Sequence, residues 1–352
     1  MAKYKDRPEY PIIYKGKTYN TTIRKEVSDE AFEEARAEYY TRPNKGEVIG
    51  QLVKIAAGQY KMDKVTNYYF KDVMSYTICS GCNWSIHDVF TYKPLFEFFA
   101  GKCAASPRFY PDTLSLCQNI TVAFRLCGWG TASKPPQFPL KAADEIIQKY
   151  NVNGRYYDYA CGWGARLLSS LRNNVHYFGT DPNDMLTPRL QLLADDYRAA
   201  NAISNEKLTA DIRCIGSEEF IPEWEGTMGL AFSSPPYFDM ENYQIGKQSY
   251  VEGVTTIDSW IDDYVKPTID NIYRYLIPGG YMAVNVKDTR KFPLRQIWHD
   301  ILMSKGFSLV DIHTLKNHHR PHGHAEWNAD DTCTNKCGVY NSDEKIYVYK
   351  KS

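Results

Sequence analysis

From about Arg155 onward the sequence alternates apolar strand-like runs with helical ones, and this alternation constrains the fold more than any other feature. RYYDYA is followed by ARLLSSLRN, VHYFGTD by MLTPRLQLLADDYRAAN, and DIRCIG leads on to MGLAFSSPP. The helical WIDDYVKPTIDNIYRYL, the buried-strand run YMAVNV, the helical LRQIWHDILMSKG and the strand FSLVDIHTL complete the series. Strands joined by helical crossovers pair in parallel and carry helices on both faces. The expected class is therefore α/β, with a Rossmann-like, mostly parallel sheet. Residues 1–130 have a different texture and read as a mainly helical N-terminal region that serves target recognition or an accessory role. Ser28 before Asp29 and Glu30 is an N-cap signal, and helices are predicted over Ile86–Lys102 and Pro111–Cys127. The stretch from Gly128 to Pro136 is dense in breakers and separates this region from a core over residues 131–352.

The chain has 352 residues, with 42 Lys+Arg against 42 Asp+Glu. With no net positive field, contact with nucleic acid would need a local basic patch or a shaped pocket. The 28 tyrosines offer amphipathic stacking surfaces for such a pocket. No apolar run approaches the roughly 18–20 residues that cross a bilayer, and the start has no apolar signal-peptide core. A soluble, cytoplasmic protein with no membrane partner is expected. Nine cysteines without a dense framework fit reduced thiols better than structural disulfides.

The first strand run ends in Asp158-Tyr159-Ala160-Cys161-Gly162-Trp163-Gly164 and passes directly into a helical pattern. A G-x-G turn at that place lets the backbone approach a ligand where side chains would collide. The next strand ends in Gly179-Thr180-Asp181, where an acidic residue can accept hydrogen bonds from two ribose hydroxyls. Position 167 is Leu167, so the third glycine of the dinucleotide fingerprint is missing. An adenosine-containing cofactor without a pyrophosphate on the helix N-terminus fits this pattern; the bland alternative is an ordinary tight turn.

Ser233-Ser234-Pro235-Pro236-Tyr237-Phe238 follows the strand MGLAF. A Pro-Pro pair cannot extend a ladder, and it fixes a short loop at the carboxyl edge of the sheet, where open α/β sheets bind ligands. The loop gathers a hydroxyl, a carbonyl outside the ladder and an aromatic face. That set suits a planar base with an exocyclic amine. A proline-stiffened connector with a core tyrosine is the competing reading.

The glycine turn, the acidic strand end and Ser234-Pro235-Pro236-Tyr237 together resemble the DNA amino-methyltransferases, S-adenosylmethionine-dependent enzymes that methylate cytosine N4 or adenine N6. The likeness covers about residues 135–315. It extends to Phe238-Asp239-Met240-Glu241, Gln248-Ser249 and the Pro278-Gly279-Gly280-Tyr281 turn, which are similar to methylases of phage and bacterial modification systems. The resemblance implies S-adenosyl-L-methionine as cofactor, held by Phe138, Asp158, Ala160, Gly162, Gly164, Asp181, Pro182, Ser217 and Glu218. It implies catalysis by Ser234, Pro235, Pro236 and Tyr237, on a DNA base that is flipped out or single-stranded. Phe238 would contact that substrate, and Asp239 or Glu241 would collect the proton or simply be solvated. Apart from the resemblance, Lys316–His324 reads as a Pro- and Gly-broken polar loop that either touches phosphates through Lys316 and Arg320 or is solvated. The turn departs from the family in carrying Tyr159 and Ala160 where Pro and Phe are usual. Serine at the head of the loop is the form common in cytosine-N4 enzymes, which places cytosine ahead of adenine. The same chemistry on RNA, or a catalytically idle nucleic-acid-binding scaffold, are the alternatives.

Cys79 and Cys82 have C-x-x-C spacing, and Cys333 with Cys337 lies near His318, His319, His322 and His324. These could make a tetrahedral zinc site, but single pairs of this kind are more often buried thiols, and no metal is expected.

Overall fold

The computed structural model describes residues 10–21, 23–79, 84–105, 113–126, 137–238, 241–248, 256–289, 291–315, 326–327, 332–335, 338–341 and 344–352. The chain forms two compact units, one of residues 1–48, 63–136 and 239–245, the other of 49–62, 137–238 and 246–352.

The first unit holds a β-hairpin, Tyr10–Tyr14 against Lys17–Thr21, in a region whose sequence texture is mainly helical. Its turn is Lys15-Gly16, both in the left-handed region with φ of 48° and 74°, as a tight two-residue hairpin requires. Helices follow over Asp29–Tyr40, Asp63–Tyr69, Lys71–Ser75, Ile86–Thr91, Lys93–Ala104 and Leu116–Leu126, and Lys45–Ala56 begins in this unit. The Ser28 hydroxyl caps the first of them, accepting from the Ala31 N–H. The single helix expected over Ile86–Lys102 is two helices, because the chain turns extended at Tyr92 and Pro94 sits in the first turn of the second. The core is aromatic: Phe32, Trp84, Phe90, Phe96, Phe98 and Phe99 are all buried.

The second unit holds a seven-stranded sheet. Its strands are β1 (Arg155–Asp158), β2 (His176–Thr180), β3 (Ala210–Arg213), β4 (Met228–Ser233), β5 (Leu276–Asn285), β6 (Phe307–Leu315) and β7 (Glu344–Lys351). The spatial order is 6-7-5-4-1-2-3. Strands β3, β2, β1, β4 and β5 run parallel, and β7 lies antiparallel between β5 and β6. The Rossmann-like class is thus the observed one. The final strand carries no clear signal in the sequence, yet Ile346, Tyr347, Val348 and Tyr349 are buried in the sheet.

Five helices pack around this sheet: α1 (Leu140–Tyr150), α2 (Ala165–Arg172), α3 (Thr187–Ala200), α4 (Lys266–Tyr275) and α5 (Leu294–Lys305). Pro188 lies in a first turn, where a missing N–H costs nothing, and Gly306 ends α5 in a left-handed conformation. Ahead of α4 the helix widens into a π-turn over Ile261–Val265, next to the proline that cannot donate.

Tyrosine has a different use here from the one expected. Tyr156, Tyr157, Tyr159 and Tyr177 are almost wholly buried. Their hydroxyls tie neighbouring strands: Tyr156 donates to the Phe232 carbonyl at 2.7 Å, Tyr159 to the Ala283 carbonyl at 3.0 Å, and Tyr157 lies 2.8 Å from the Thr180 hydroxyl. They are core ties, because each buried O–H finds a partner. Among the described residues no helix is long and apolar enough to cross a membrane.

Candidate active site

In the order 6-7-5-4-1-2-3 the chain reverses direction of travel between β1 and β4. A crevice opens at such a switch point, outside the carboxyl ends of the two strands. The glycine turn leaves β1 there and the Ser234–Tyr237 loop leaves β4, so the two motifs separated in sequence are neighbours in space.

Gly162 and Gly164 both have positive φ, 58° and 81°, and Gly164 is the residue from which α2 starts. A side chain at either would strain the turn. Gln137, which carries no motif in the sequence, donates from Nε2 to the Trp163 carbonyl at 2.9 Å and so holds the turn between its glycines. Phe138 lies beside it, its ring edge-on to Phe232 at 5.5 Å and under the Arg166 guanidinium at 5.4 Å.

Arg166 joins the two loops. Its Nε donates to Asp158 Oδ2 at 3.0 Å, while Nη2 donates to the Ala160 carbonyl and, at 3.1 Å, to the Ser233 hydroxyl. Ser233 in turn donates to the Ala160 carbonyl at 3.0 Å. Asp158 also accepts from the Tyr177 hydroxyl at 3.0 Å and is fully buried. Its Oδ2 is therefore spent on structure, whereas Oδ1 is buried with no hydrogen-bond partner among the described residues. Burial alone would lower the Arg166 pKa, and the Asp158 carboxylate beside it more than compensates, leaving it above its ordinary value.

Asp181 follows β2 directly. Its Oδ1 accepts the Asn183 N–H at 3.0 Å. Burial pushes its carboxyl up to about 6, against the pull of the Asn183 and Gly162 N–H groups. Pro182 continues from it, its carbonyl 3.7 Å from Cys214 Sγ. Ser217 is turned inward: its hydroxyl lies 2.8 Å from that of Thr268 and its carbonyl accepts from Asn271, so its side chain is occupied by α4. Glu218 is half-buried beside Gly216, where an added Cβ would meet its carboxylate at 2.2 Å.

In the loop after β4, Ser234, Pro236 and Tyr237 are half-buried and Pro235 is buried. The strand ends at Ser233, which leaves the proline carbonyls beyond the ladder. Ser234 Oγ and the Tyr237 hydroxyl are 3.2 Å apart, and each lies 3.1 Å from Oδ1 of Asn285, a residue at the end of β5 that carries no motif in the sequence. Phe238, expected beside the substrate, packs inward. It is 9% exposed, has φ of 55°, and packs edge-on against Trp260 at 6.0 Å and Phe292 at 5.4 Å. It anchors the loop in the core.

Lys316, Arg320, Asp239, Cys82, Cys337 and the four histidines from His318 to His324 lie outside the described residues, as do the side chains of Cys79, Cys333 and Glu241. Among the described residues no cluster of His, Cys, Asp and Glu could hold a metal ion.

No protein-family model matches the chain, and no curated protein sequence does. Solved structures of similar fold include the cyclase SpnF (16% identical, covering 63% of this chain and 83% of that one, TM-score 0.39). A SAM-dependent O-methyltransferase from Thermotoga maritima is 15% identical over 63% of this chain and 68% of that one, with a TM-score of 0.38. A 1,6-didemethyltoxoflavin-N1-methyltransferase from Burkholderia thailandensis is 13% identical over 60% and 78%, with a TM-score of 0.39. At these scores the likeness says nothing about chemistry.

Proposed function

We propose that the chain transfers a methyl group from S-adenosylmethionine to the exocyclic amine of a base in DNA, cytosine N4 ahead of adenine N6. The observation that carries this reading is the Arg166 bridge. One guanidinium grips the glycine turn at Ala160 and the head of the proline loop at Ser233, holding a cofactor cradle and an amine-binding loop at one switch point.

The residues present fit the cofactor. Gly162 and Gly164 allow close backbone approach, Asp181 offers a carboxylate to ribose hydroxyls, and Asp158 Oδ1, without a hydrogen-bond partner among the described residues, would receive a donor such as an ammonium group. Phe138 would lie along the same cradle. When bound, S-adenosylmethionine supplies an electrophilic methyl group on a sulfonium.

An exocyclic amine is a poor nucleophile because its lone pair is delocalised into the ring. The Ser234 hydroxyl and the Pro235 carbonyl would accept its two N–H bonds, drawing the nitrogen toward tetrahedral geometry and aiming the lone pair at the cradle. Orientation and fixed dipoles then supply the acceleration, and no covalent nucleophile is needed. As the nitrogen bonds the methyl carbon the S–CH3 bond breaks to leave a neutral thioether, and the nitrogen releases one N–H proton to solvent. Tyr237 offers a ring to a base out of its stack, offsetting part of the few kcal/mol that unstacking costs. The serine at the loop head is what places cytosine first. The test is transfer of a labelled methyl group to DNA and to RNA in parallel. Label in DNA supports the reading; label in RNA alone would move the substrate class, and no affinity for S-adenosylhomocysteine would sink the enzyme.

A further inference from the structure

Asn285 ends β5 with 1% of its surface exposed. Its side-chain amide has one end that donates and one that accepts. Nδ2 lies 3.1 Å from the backbone carbonyl of Lys345, in the first turn of chain of β7, and a carbonyl can only accept. The NH2 end must therefore face β7. That turns Oδ1 toward the proline loop, 3.1 Å from Ser234 Oγ and 3.1 Å from the Tyr237 hydroxyl. The main-chain oxygen of Asn285 is a further 3.2 Å acceptor for the same tyrosine. Both Asn285 oxygens are acceptors only, and each hydroxyl carries a single proton. Ser234 spends its proton on Asn285 Oδ1, and the 3.2 Å contact with the Tyr237 hydroxyl lies on the same side of the loop. Ser234 is left with only lone pairs to offer outward.

We propose that Asn285 is a positioning residue that fixes Ser234 as a hydrogen-bond acceptor, so that the site selects an exocyclic amine over a ring carbonyl. This rests on the reading of the site given above and adds the side chain that sets the choice. An amino group of cytosine or adenine donates into Ser234. The carbonyl of uracil or hypoxanthine at the same place brings lone pair against lone pair, and a buried site rejects a partner that leaves its polar groups unpaired. Through Lys345, the antiparallel strand inserted into the sheet reaches the site by a single amide.

Binding tests this independently of turnover. The full-length protein, with S-adenosylhomocysteine present, is titrated by fluorescence anisotropy with otherwise abasic single-stranded oligonucleotides. Each carries one central base: cytosine or uracil, adenine or hypoxanthine. The expected result is a preference of at least about tenfold for the amine in one of the two pairs. Asn285→Leu should reduce it to within about twofold while calorimetry shows unchanged S-adenosylhomocysteine affinity. If the leucine variant loses that affinity, Asn285→Ala removes the acceptor without added bulk and replaces it. No preference in the unmodified protein, no binding to any of the four, or a preference that survives loss of the Asn285 amide overturns the inference. A protein that discriminates but transfers no methyl group keeps this inference and loses the proposed function; one that transfers without discriminating does the reverse.

Discussion

Arg166 reaches back from the first turn of α2 to Asp158 at the end of β1, Nε to Oδ2 at 3.0 Å, with 5% and 0% of the two side chains exposed. The ion pair is buried, and its guanidinium also carries the contacts to Ala160 and Ser233. It thus links the stability of the core to the placement of both functional loops.

Removing one partner of a buried pair leaves the other charge uncompensated. Arg166→Met should therefore cost about 3–5 kcal/mol of stability. The double variant Arg166→Met with Asp158→Asn should cost less than the sum of the two single changes, because the orphaned charge is gone. Urea unfolding of the three variants measures both figures, and simple additivity would mean the two side chains act independently.

Asp181 gives a pH signature. Its carboxyl is raised from 3.8 to about 6 in the fold, so the folded state holds this proton more tightly than the unfolded chain. From this group the ligand-free fold is most stable below about pH 3.8 and loses that contribution as pH rises through about 6. Cofactor binding should run the opposite way, since ribose hydroxyls need the carboxylate. S-adenosylhomocysteine affinity should be flat above pH 7 and fall roughly tenfold per unit well below pH 6. Calorimetry across pH 5–8 tests this, and Asp181→Asn should bind weakly with no such slope.

Gly179 backs the cofactor turn. A Cβ there would meet Cys161 Sγ at 2.6 Å and the Tyr177 ring at 2.7 Å, both in packed core. Gly179→Ala should cost about 1–3 kcal/mol by overpacking and should weaken S-adenosylhomocysteine binding, because the relief available is movement of the turn itself. Thermal melts with and without the ligand read out the two effects.

The proline loop and the cradle should be separable. Pro235→Ala combined with Tyr237→Ala should abolish methyl transfer and leave S-adenosylhomocysteine affinity within about twofold, as expected for groups that act only on the acceptor. Equal loss of both would contradict the division of roles between the loop and the glycine turn.

The parallel sheet was legible because hydrophobic periodicity switches cleanly between two and 3.6 residues from Arg155 onward. The two loops were legible because glycine and proline impose backbone conformations that survive any tertiary context. Other parts needed coordinates. Strand β7 follows a polar stretch at the chain end, and only its insertion between β5 and β6 buries Ile346 and Val348. Asn285 carries no motif, and its importance lies in which end of an amide faces Lys345. Phe238 reads as a substrate contact beside Tyr237, but its positive φ swings it into the core against Trp260. The buried tyrosines of β1 and β2 look the same in sequence as exposed stacking ones.

The central claim is methyl transfer to an exocyclic amine of DNA, and mass spectrometry of nucleosides tests it most directly. DNA is incubated with the purified protein and methyl-labelled S-adenosylmethionine, then digested. The account predicts labelled N4-methylcytosine, or N6-methyladenine in its place, that is absent with the Pro235→Ala, Tyr237→Ala variant. Label on a ring carbon, or unlabelled DNA from a protein that binds the cofactor, would contradict it.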